Sequence, residues 1–285
     1  MTYDISSDKF HHPLLKSLLD LLSISFQNDS LSFYVIGATA RDIIMALQGE
    51  KSGRATLDLD IAMAISSWKR FKEVQAKLLQ HPDIQKDHNQ VQRFLYKEVL
   101  KFDIVPFGEI MQKDDKIYWP PDETVAMSVL GFEETKNDTL VVKIDEEFEI
   151  EVASLRGIFL LKLFAWRDRN QLHNRDADDI AFIIENYLAI NQERAVNDLY
   201  EQIYLYSDFN NKSAGSRLLG IDVSGIIHHR SDIYYKIEEL LVTEISSAEE
   251  SRLINQILET NRSFSYDEAL TCLESLLAGL SGVGK

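Results

Sequence analysis

Cysteine, proline, glycine and positive charge are all scarce in this sequence. The single cysteine among 285 residues, Cys272, excludes a disulfide framework and a cysteine-rich zinc site. With 12 glycines and 5 prolines, the chain has little material for linkers or low-complexity segments. Lys and Arg number 30 against 46 Asp and Glu, so the formal net charge is −16. A generally basic nucleic-acid-binding surface is therefore excluded, and any such contact requires a local patch.

Long apolar runs are also lacking. Charged residues interrupt every apolar stretch before 18 residues, so no membrane span and no membrane partner are predicted. The N-terminal residues show no basic segment followed by an apolar one, which predicts that there is no signal peptide. Together with the lone cysteine, these features predict a cytoplasmic protein. The hydrophobic fraction of 45% is ordinary for a globular core.

The first half of the sequence mixes strand and helix patterns. Helices are predicted at 13–26 and 39–47 and after Ser67, which can cap the third of them. Strands are predicted at 31–36, 55–64, 94–105, 139–144 and 148–152. The segment 94–105 fits either one long strand or a pair, and the last two strands can form a hairpin.

After Ser154 the periodicity is helical to the end of the sequence. Breaks are expected near 170–174, 186–191, 207–215, 229–231 and 261–265. The predicted class is α+β, with a mixed sheet flanked by helices in residues 1–153 and an all-helical domain in residues 154–285.

A pair of aspartates gives the strongest chemical signal. Asp58 and Asp60 alternate with Leu57, Leu59 and Ile61, so the two carboxylates lie on one face of the predicted strand. Two carboxylates this close repel each other, and a divalent cation removes that cost. The alternative is a solvated strand face carrying two acids without a function.

A third acid lies in another apolar strand. Asp103 is the lone acid of the segment 102–107. If this strand lies beside the first, three carboxylates converge, and the third can bind metal and accept a proton from an attacking hydroxyl. The alternative is an acid in a turn at the end of a strand.

A turn of small residues precedes Asp58 and Asp60 in the sequence. Gly37, Ala38 and Thr39 connect a predicted strand to a helix, and the backbone N–H groups at such a helix start can bind phosphate. Arg41 either faces the same site or is an exposed helix charge.

In combination, these motifs resemble the nucleotidyltransferase superfamily, which includes polymerase-β-like enzymes. The resemblance implies that Gly37, Ala38 and Thr39 hold a triphosphate, and that Asp58, Asp60 and Asp103 are catalytic residues that bind two Mg²⁺ ions. The family motif usually begins Gly-Gly or Gly-Ser, whereas this chain has Gly-Ala. The distance from Gly37 to Asp58 implies an insertion around 49–53.

The helical half adds a basic stretch. Between Glu151 and Arg175 there are five basic and two acidic residues.

Lys162 lies in the middle of a segment, 155–166, that is apolar nearly all round and predicts a buried helix. Its ammonium must reach a carboxylate or a phosphate, unless it extends to solvent at a helix edge. With the phosphate interpretation, Lys162→Met is expected to weaken NTP binding about tenfold without lowering the melting temperature. Asp176 either takes part in the site or complements the dipole of the next helix.

The pairing of Lys162-Leu-Phe-Ala-Trp-Arg167 with Arg175-Asp-Ala-Asp-Asp179 narrows the resemblance to AbiEii/AbiGii-type nucleotidyltransferase toxins of type IV toxin–antitoxin systems. This resemblance covers roughly 33–187. It implies Mg²⁺-dependent transfer of an NMP from an NTP to an acceptor hydroxyl, with tRNA or another macromolecule as acceptor and an antitoxin protein as a partner. The helical domain is then expected to close the nucleotide cleft. The implied nucleotide-binding residues are Gly37, Ala38, Thr39, Arg41, Thr56, Lys162, Arg167, Asp176 and Asp179.

Two other functions remain open. A small-molecule nucleotidyltransferase of the aminoglycoside-modifying type fits the acidic net charge, because an acidic cleft attracts cationic substrates. A binding or regulatory protein that retains the fold is disfavoured by the three intact aspartates. The scattered histidines, and the absence from the sequence of P-loop and Gly-x-Ser-x-Gly motifs, argue against zinc and hydrolase chemistry.

Overall fold

The structure is a computed structural model that describes residues 2–27, 31–50, 56–121, 123–205 and 209–282. Arg54, Gly53 and the first residue of the strand predicted at 55–64 lie outside the described residues. The chain divides into two compact units, which we call the first unit (Met1–Ser154) and the second unit (Leu155–Lys285). Each is described by itself.

The first unit contains ten strands and four α-helices among its described residues. The strands are β1 (Thr2–Ile5), β2 (Phe33–Ile36), β3 (Asp58–Ala64), β4 (Ile84–Lys86), β5 (Arg93–Tyr96), β6 (Leu100–Phe107), β7 (Lys116–Trp119), β8 (Val125–Ser128), β9 (Thr139–Ile144) and β10 (Phe148–Ala153). The helices are α1 (Leu15–Gln27), α2 (Gly37–Leu47), α3 (Trp68–Leu78) and α4 (Phe132–Lys136).

Eight of these strands form one sheet in the order β1-β9-β10-β2-β3-β6-β5-β4. The central strand β3 pairs antiparallel with β2 and parallel with β6, so the predicted mixed sheet is confirmed. Strand β2 is buried along its whole length and β6 along nearly all of it, because apolar side chains occupy both of their faces. The site strand β3 is thus held between two core strands.

Several local predictions are confirmed and others need correction. The segment predicted at 94–105 is a strand pair, with β5 and β6 joined by a turn in which Lys97 and Glu98 have positive φ. Ser67 caps α3, since its hydroxyl accepts a hydrogen bond from the backbone N–H of Arg70. Helix α2 begins at Gly37 rather than at Thr39. Strands β1, β4, β7 and β8 were not predicted; each has only three or four residues, too few for a periodic pattern.

The described residues of the second unit form helices and no strand. The helices are α5 (Leu155–Arg169), α6 (Arg175–Ile190), α7 (Gln192–Asp198), α8 (Tyr200–Tyr204), α9 (Asn211–Ile226), α10 (Ser231–Ser246), α11 (Arg252–Thr260) and α12 (Tyr266–Ser281). Helix α5 is buried nearly all round, as its composition predicts. In the described part of the chain, no helix has the length and apolar character needed to cross a membrane.

Candidate active site

The turn into α2 touches the site strand. Ile36, the last residue of β2, pairs with Asp60 of β3, which brings the following residue, Gly37, against the Asp60 side chain. Gly37 has a φ of +67°, and a Cβ added there would lie 2.7 Å from Asp60 Oδ2. Only glycine fits this position without strain, because the conformation is left-handed and the space is taken by a carboxylate oxygen. The predicted phosphate turn and the predicted metal carboxylate are therefore direct neighbours.

The aspartate pair shares one face at the start of β3. Asp58 is exposed and Asp60 is half-buried, whereas Leu59 and Ile61 are fully buried on the opposite face. This is the alternation that the sequence predicts. Leu57 does not follow it and is 71% exposed, because it precedes the first residue of the strand.

Thr39 ties α2 to the same strand. Its Oγ1 donates a 2.8 Å hydrogen bond to the backbone carbonyl of Asp58. The hydroxyl thus positions the aspartate strand, which differs from the predicted capping or phosphate contact. Ala38 lies beside Gly37 in the first turn of α2, and the preceding residue, Ile36, has no side-chain acceptor for the first N–H groups. Those N–H groups have the chemistry that suits a phosphate.

Arg41 is neither an exposed charge nor turned freely into the site. It is 4% exposed, and its Nε and Nη2 donate to Asp42 Oδ1 at 3.2 and 3.0 Å. The other oxygen of Asp42 accepts a 2.9 Å hydrogen bond from Thr56 Oγ1. Asp42 therefore joins α2 to the residues before β3. This role of Asp42 was not predicted, because an acid beside an arginine on a helix is a common surface pattern.

The third acid lies beside the pair but is already engaged. Asp103 of β6 stands opposite Asp60 in the parallel register. Its two oxygens accept hydrogen bonds from Arg93 of β5, with Nε to Oδ1 at 2.7 Å and Nη2 to Oδ2 at 2.9 Å. These hydrogen bonds raise the pKa of Arg93, and the charges of Asp58 and Asp60 raise it further. The described residues contain no group of three His, Cys, Asp or Glu side chains placed to share a metal ion. The two strands are neighbours, as predicted, and Asp103 lies opposite Asp60. The metal role of Asp103 stays a prediction.

A pocket of roughly 360 Å³, measured with its open mouth, adjoins Asp58. Three predicted site residues line it: Thr39, Thr56 and Asp58. The N-terminal segment supplies Lys9, Phe10, His11 and His12 to its wall, and α1, α2 and β6 supply Leu15, Asp42, Ile43 and Leu100. This contribution was not predicted, because the segment before α1 has no motif and reaches the strand only through the fold.

The predicted residues of the second unit form a cluster of their own. Lys162 of α5 has an 18% exposed side chain, and its Nζ lies 2.6 Å from Asp179 Oδ2 and 3.3 Å from Asp176 Oδ1. Arg169 adds a second cation, with Nε and Nη2 at 2.6 and 2.8 Å from the oxygens of Asp176. Lys162 thus reaches carboxylates, one of the two partners that the sequence required.

In this cluster, neighbouring charges and hydrogen bonds shift the pKa values of Lys162 and Asp176 more than burial does. Burial alone would lower the pKa of Lys162, but Asp179 and Asp176 raise it above its ordinary value. Burial would likewise raise the pKa of Asp176, but the hydrogen bond from Arg169 and the charge of Lys162 lower it. Lys162 and Asp176 are therefore both charged at neutral pH. Arg167, also predicted to bind nucleotide, donates to the neighbouring Asp168 at 3.1 Å and lies over the Phe164 ring.

A second buried polar group in the helical unit has no sequence motif. Asp222 of α9 is 3% exposed; it accepts a 2.7 Å hydrogen bond from the Tyr187 hydroxyl and pairs with Arg194. Burial and this carboxylate raise the pKa of Tyr187 well above its ordinary value. The hydroxyl therefore stays protonated and acts as a donor that joins α6 to α9.

Known proteins include a family that matches this chain and a solved structure that is similar to it. A comparison with curated proteins found no match. Among solved structures, that of the antibiotic-resistance factor ANT(2'')-Ia is similar at 11% sequence identity and a TM-score of 0.33, over 64% of this chain and 97% of that chain. A family model, described as nucleotidyl transferase AbiEii toxin of the type IV toxin–antitoxin system, matches residues 18–272. The chain therefore belongs to the AbiEii family of nucleotidyltransferase toxins.

Proposed function

We propose that this nucleotidyltransferase moves an NMP group from an NTP to an acceptor hydroxyl, and that Asp58 and Asp60 hold a Mg²⁺ ion at the reacting phosphate. The contact between Gly37 and Asp60 Oδ2 is the observation that carries the proposal. It joins a helix start suited to phosphate with a carboxylate suited to metal, in a space from which a single Cβ would be excluded.

The residues present fit such an ion. Mg²⁺ takes oxygen ligands and is commonly held by one or two carboxylates together with substrate phosphates. Asp58 and Asp60 supply two carboxylates on one strand face, and the exposed position of Asp58 leaves access for a substrate. When bound, a divalent ion stabilises negative charge on the attacking and leaving oxygens. The family resemblance implies two such ions.

The residues of the chain then have distinct tasks. The N–H groups at the start of α2 bind the triphosphate, and Gly37 lets it approach the backbone. Thr39 fixes the position of Asp58. Arg41 and Thr56 both donate hydrogen bonds to Asp42, which ties α2 to the residues that precede β3. In the second unit we propose that the side chains of Lys162 and Arg167 bind the nucleotide. Its phosphates then compete with Asp176 and Asp179 for Lys162, and with Asp168 for Arg167.

For the acceptor we propose an RNA, with tRNA as the leading candidate, and an antitoxin protein as the partner that limits the activity. The toxin–antitoxin family supports the antitoxin partner, and the resemblance found in the sequence implies the RNA acceptor. The net charge of −16 favours the second candidate, a cationic small molecule of the aminoglycoside type, because the basic stretch at 156–175 is largely paired with acids of its own unit.

Label transfer separates these candidates. Purified protein is incubated with Mg²⁺, each α-labelled NTP in turn, and either total tRNA or an aminoglycoside. We expect label in the RNA with wild-type protein and none with Asp58→Asn or Asp60→Asn. Label on the aminoglycoside alone would replace the RNA proposal with the small-molecule one, and label on neither would contradict both.

A further inference from the structure

The third acid of the candidate site is held by an arginine from the neighbouring strand. Arg93 and Asp103 are directly paired across β5 and β6, and the guanidinium meets the carboxylate with two parallel hydrogen bonds of 2.7 and 2.9 Å. This bidentate geometry is the strongest form of an arginine–carboxylate pair, since both carboxylate oxygens receive a donor. No motif in the sequence marks Arg93.

The bidentate pair with Arg93 limits what Asp103 can contribute to metal binding. Each Asp103 oxygen accepts one hydrogen bond from Arg93. This uses one lone pair on each oxygen and makes the carboxylate a weaker ligand for a metal ion. The Asp103 side chain is only 12% exposed, so it has little room to turn away from this partner. Its negative charge is also compensated locally. Asp103 thus stands beside Asp60 in register without adding an uncompensated charge to the pair.

The charge of Arg93 acts on all three aspartates of the site. Its positive charge interacts favourably with Asp58 and Asp60 as well as with Asp103. Two residues before Asp103 on β6, Lys101 lies opposite Asp58 in the same register. A strand face that would otherwise carry three negative charges therefore carries cationic side chains from β5 and β6.

We propose that Arg93 takes the place of a second metal ion: the site binds one divalent cation through Asp58 and Asp60, while Arg93 holds Asp103 out of the coordination sphere. This rests on the proposed function only in that Asp58 and Asp60 hold the cation. Arg93 is a positioning residue, and its removal releases Asp103 from its bidentate partner. A pair that merely stabilises β5 against β6 would leave the metal properties unchanged when it is replaced.

Metal binding tests this without any turnover. Mn²⁺ is titrated into the full chain without nucleotide, and free Mn²⁺ is followed by electron paramagnetic resonance to give the number of sites and their affinity. We expect one site in the wild type. Arg93→Gln should bind Mn²⁺ at least about tenfold more tightly or gain a second site, because a third carboxylate oxygen is freed and a positive charge is lost. Arg70→Gln, whose arginine pairs with Glu73 on α3, makes the same change in net charge away from the site and should show neither effect.

The double variant Arg93→Gln/Asp103→Asn decides the question even if the single variant folds poorly. It keeps the net charge and pairs two amides, so we expect Mn²⁺ affinity within about twofold of wild type. A loss as large as that of Asp60→Asn would show that Asp103 is a ligand and overturn the inference, as would two sites in the wild type. If Asp58→Asn and Asp60→Asn leave Mn²⁺ binding unchanged, the proposed function fails instead. Absence of any new or tighter site in folded Arg93→Gln also overturns the inference.

Discussion

The two units of the molecule treat clustered charge in opposite ways. At the start of β3 in the first unit, Asp58 and Asp60 lie side by side on an exposed to half-buried face. In the second unit, Asp176 and Asp179 are 1% and 5% exposed, and cations from α5 compensate both. The first arrangement stores repulsion that a bound cation relieves, whereas the second is already neutralised by the fold. Two like charges on an accessible face are the arrangement in which a bound cation has the most repulsion to relieve.

The largest effect expected from this comparison is on catalysis by the first unit. Asp58→Asn and Asp60→Asn should each lower nucleotidyl transfer by about 10²-fold or more, since several kcal/mol of charge stabilisation depend on these carboxylates. The melting temperature should stay level or rise, because removing one of two repelling acids does not harm packing. Transfer assays and thermal melts on the same preparations measure both. Asp20→Asn on α1 is the control, and activity equal to that control would refute the assignment.

In the second unit the same kind of change should act on stability. Lys162→Met leaves two buried carboxylates without their shared cation, and removing one partner of a buried pair costs about 3–5 kcal/mol. The sequence alone led to the opposite expectation, because it showed the lysine but not the acids facing it. Thermal melts should show a clear loss, and adding Asp176→Asn and Asp179→Asn should recover most of it.

An exposed pair of the same unit calibrates that loss. Arg230 contacts Asp232, whose side chain is 49% exposed, so Arg230→Met should change stability by less than about 1 kcal/mol. Equal losses in Lys162→Met and Arg230→Met would mean that the cluster at Lys162 is no more than a surface ion pair.

The sequence predicted those features that depend on short-range pattern. The alternation in β3 located Asp58 and Asp60 on one face, and apolar character all round predicted the burial of α5. It did not predict which residues from distant segments meet these elements. Arg93 reaches Asp103 only through the pairing of β5 with β6, and His11 reaches the pocket beside Asp58 only through the fold. Periodicity reports the face of an element and carries no information about the element that covers it.

The contact between Gly37 and Asp60 offers a smaller and more specific test. Gly37→Ala should lose about 1–2 kcal/mol of stability through its left-handed conformation and, beyond that, displace the Asp60 carboxylate. Gly49→Ala is the matched control, because its φ of +72° is similar but nothing lies within 4 Å of the added Cβ. Both variants should melt earlier than wild type, and only Gly37→Ala should lose NTP binding, measured by calorimetry. Equal NTP affinity in the two variants would show that the contact has no functional role.

The smallest effect expected separates two lysines, one from each unit. Lys86 of β4 lies over the Phe94 ring, with Nζ 4.0 Å from its centroid, and donates to the Val91 carbonyl. Burial lowers the pKa of Lys86 to about 8, and the charges of Asp103 and Asp87 do not offset it. Lys162 is also desolvated, yet its pKa is raised because two carboxylates touch it. Burial acts in the same direction on both lysines, so the counter-charge decides the sign.

This difference gives the two lysines opposite pH dependence. For Lys86 the folded pKa is below the unfolded value of 10.5, so the unfolded state binds more protons between about pH 8 and 10.5 and stability rises with pH in that window. For Lys162 the folded pKa is above 10.5, so its contribution is complete below that pH and is lost only as pH rises through the folded pKa. Thermal melts from pH 7 to 10 should therefore show Lys86→Met more stable relative to wild type at pH 7 than at pH 10, whereas the deficit of Lys162→Met stays constant. A relative stability of Lys86→Met that does not change across this range would show that Lys86 pays no cost of burial, and the contrast between the two units would then rest on the aspartates alone.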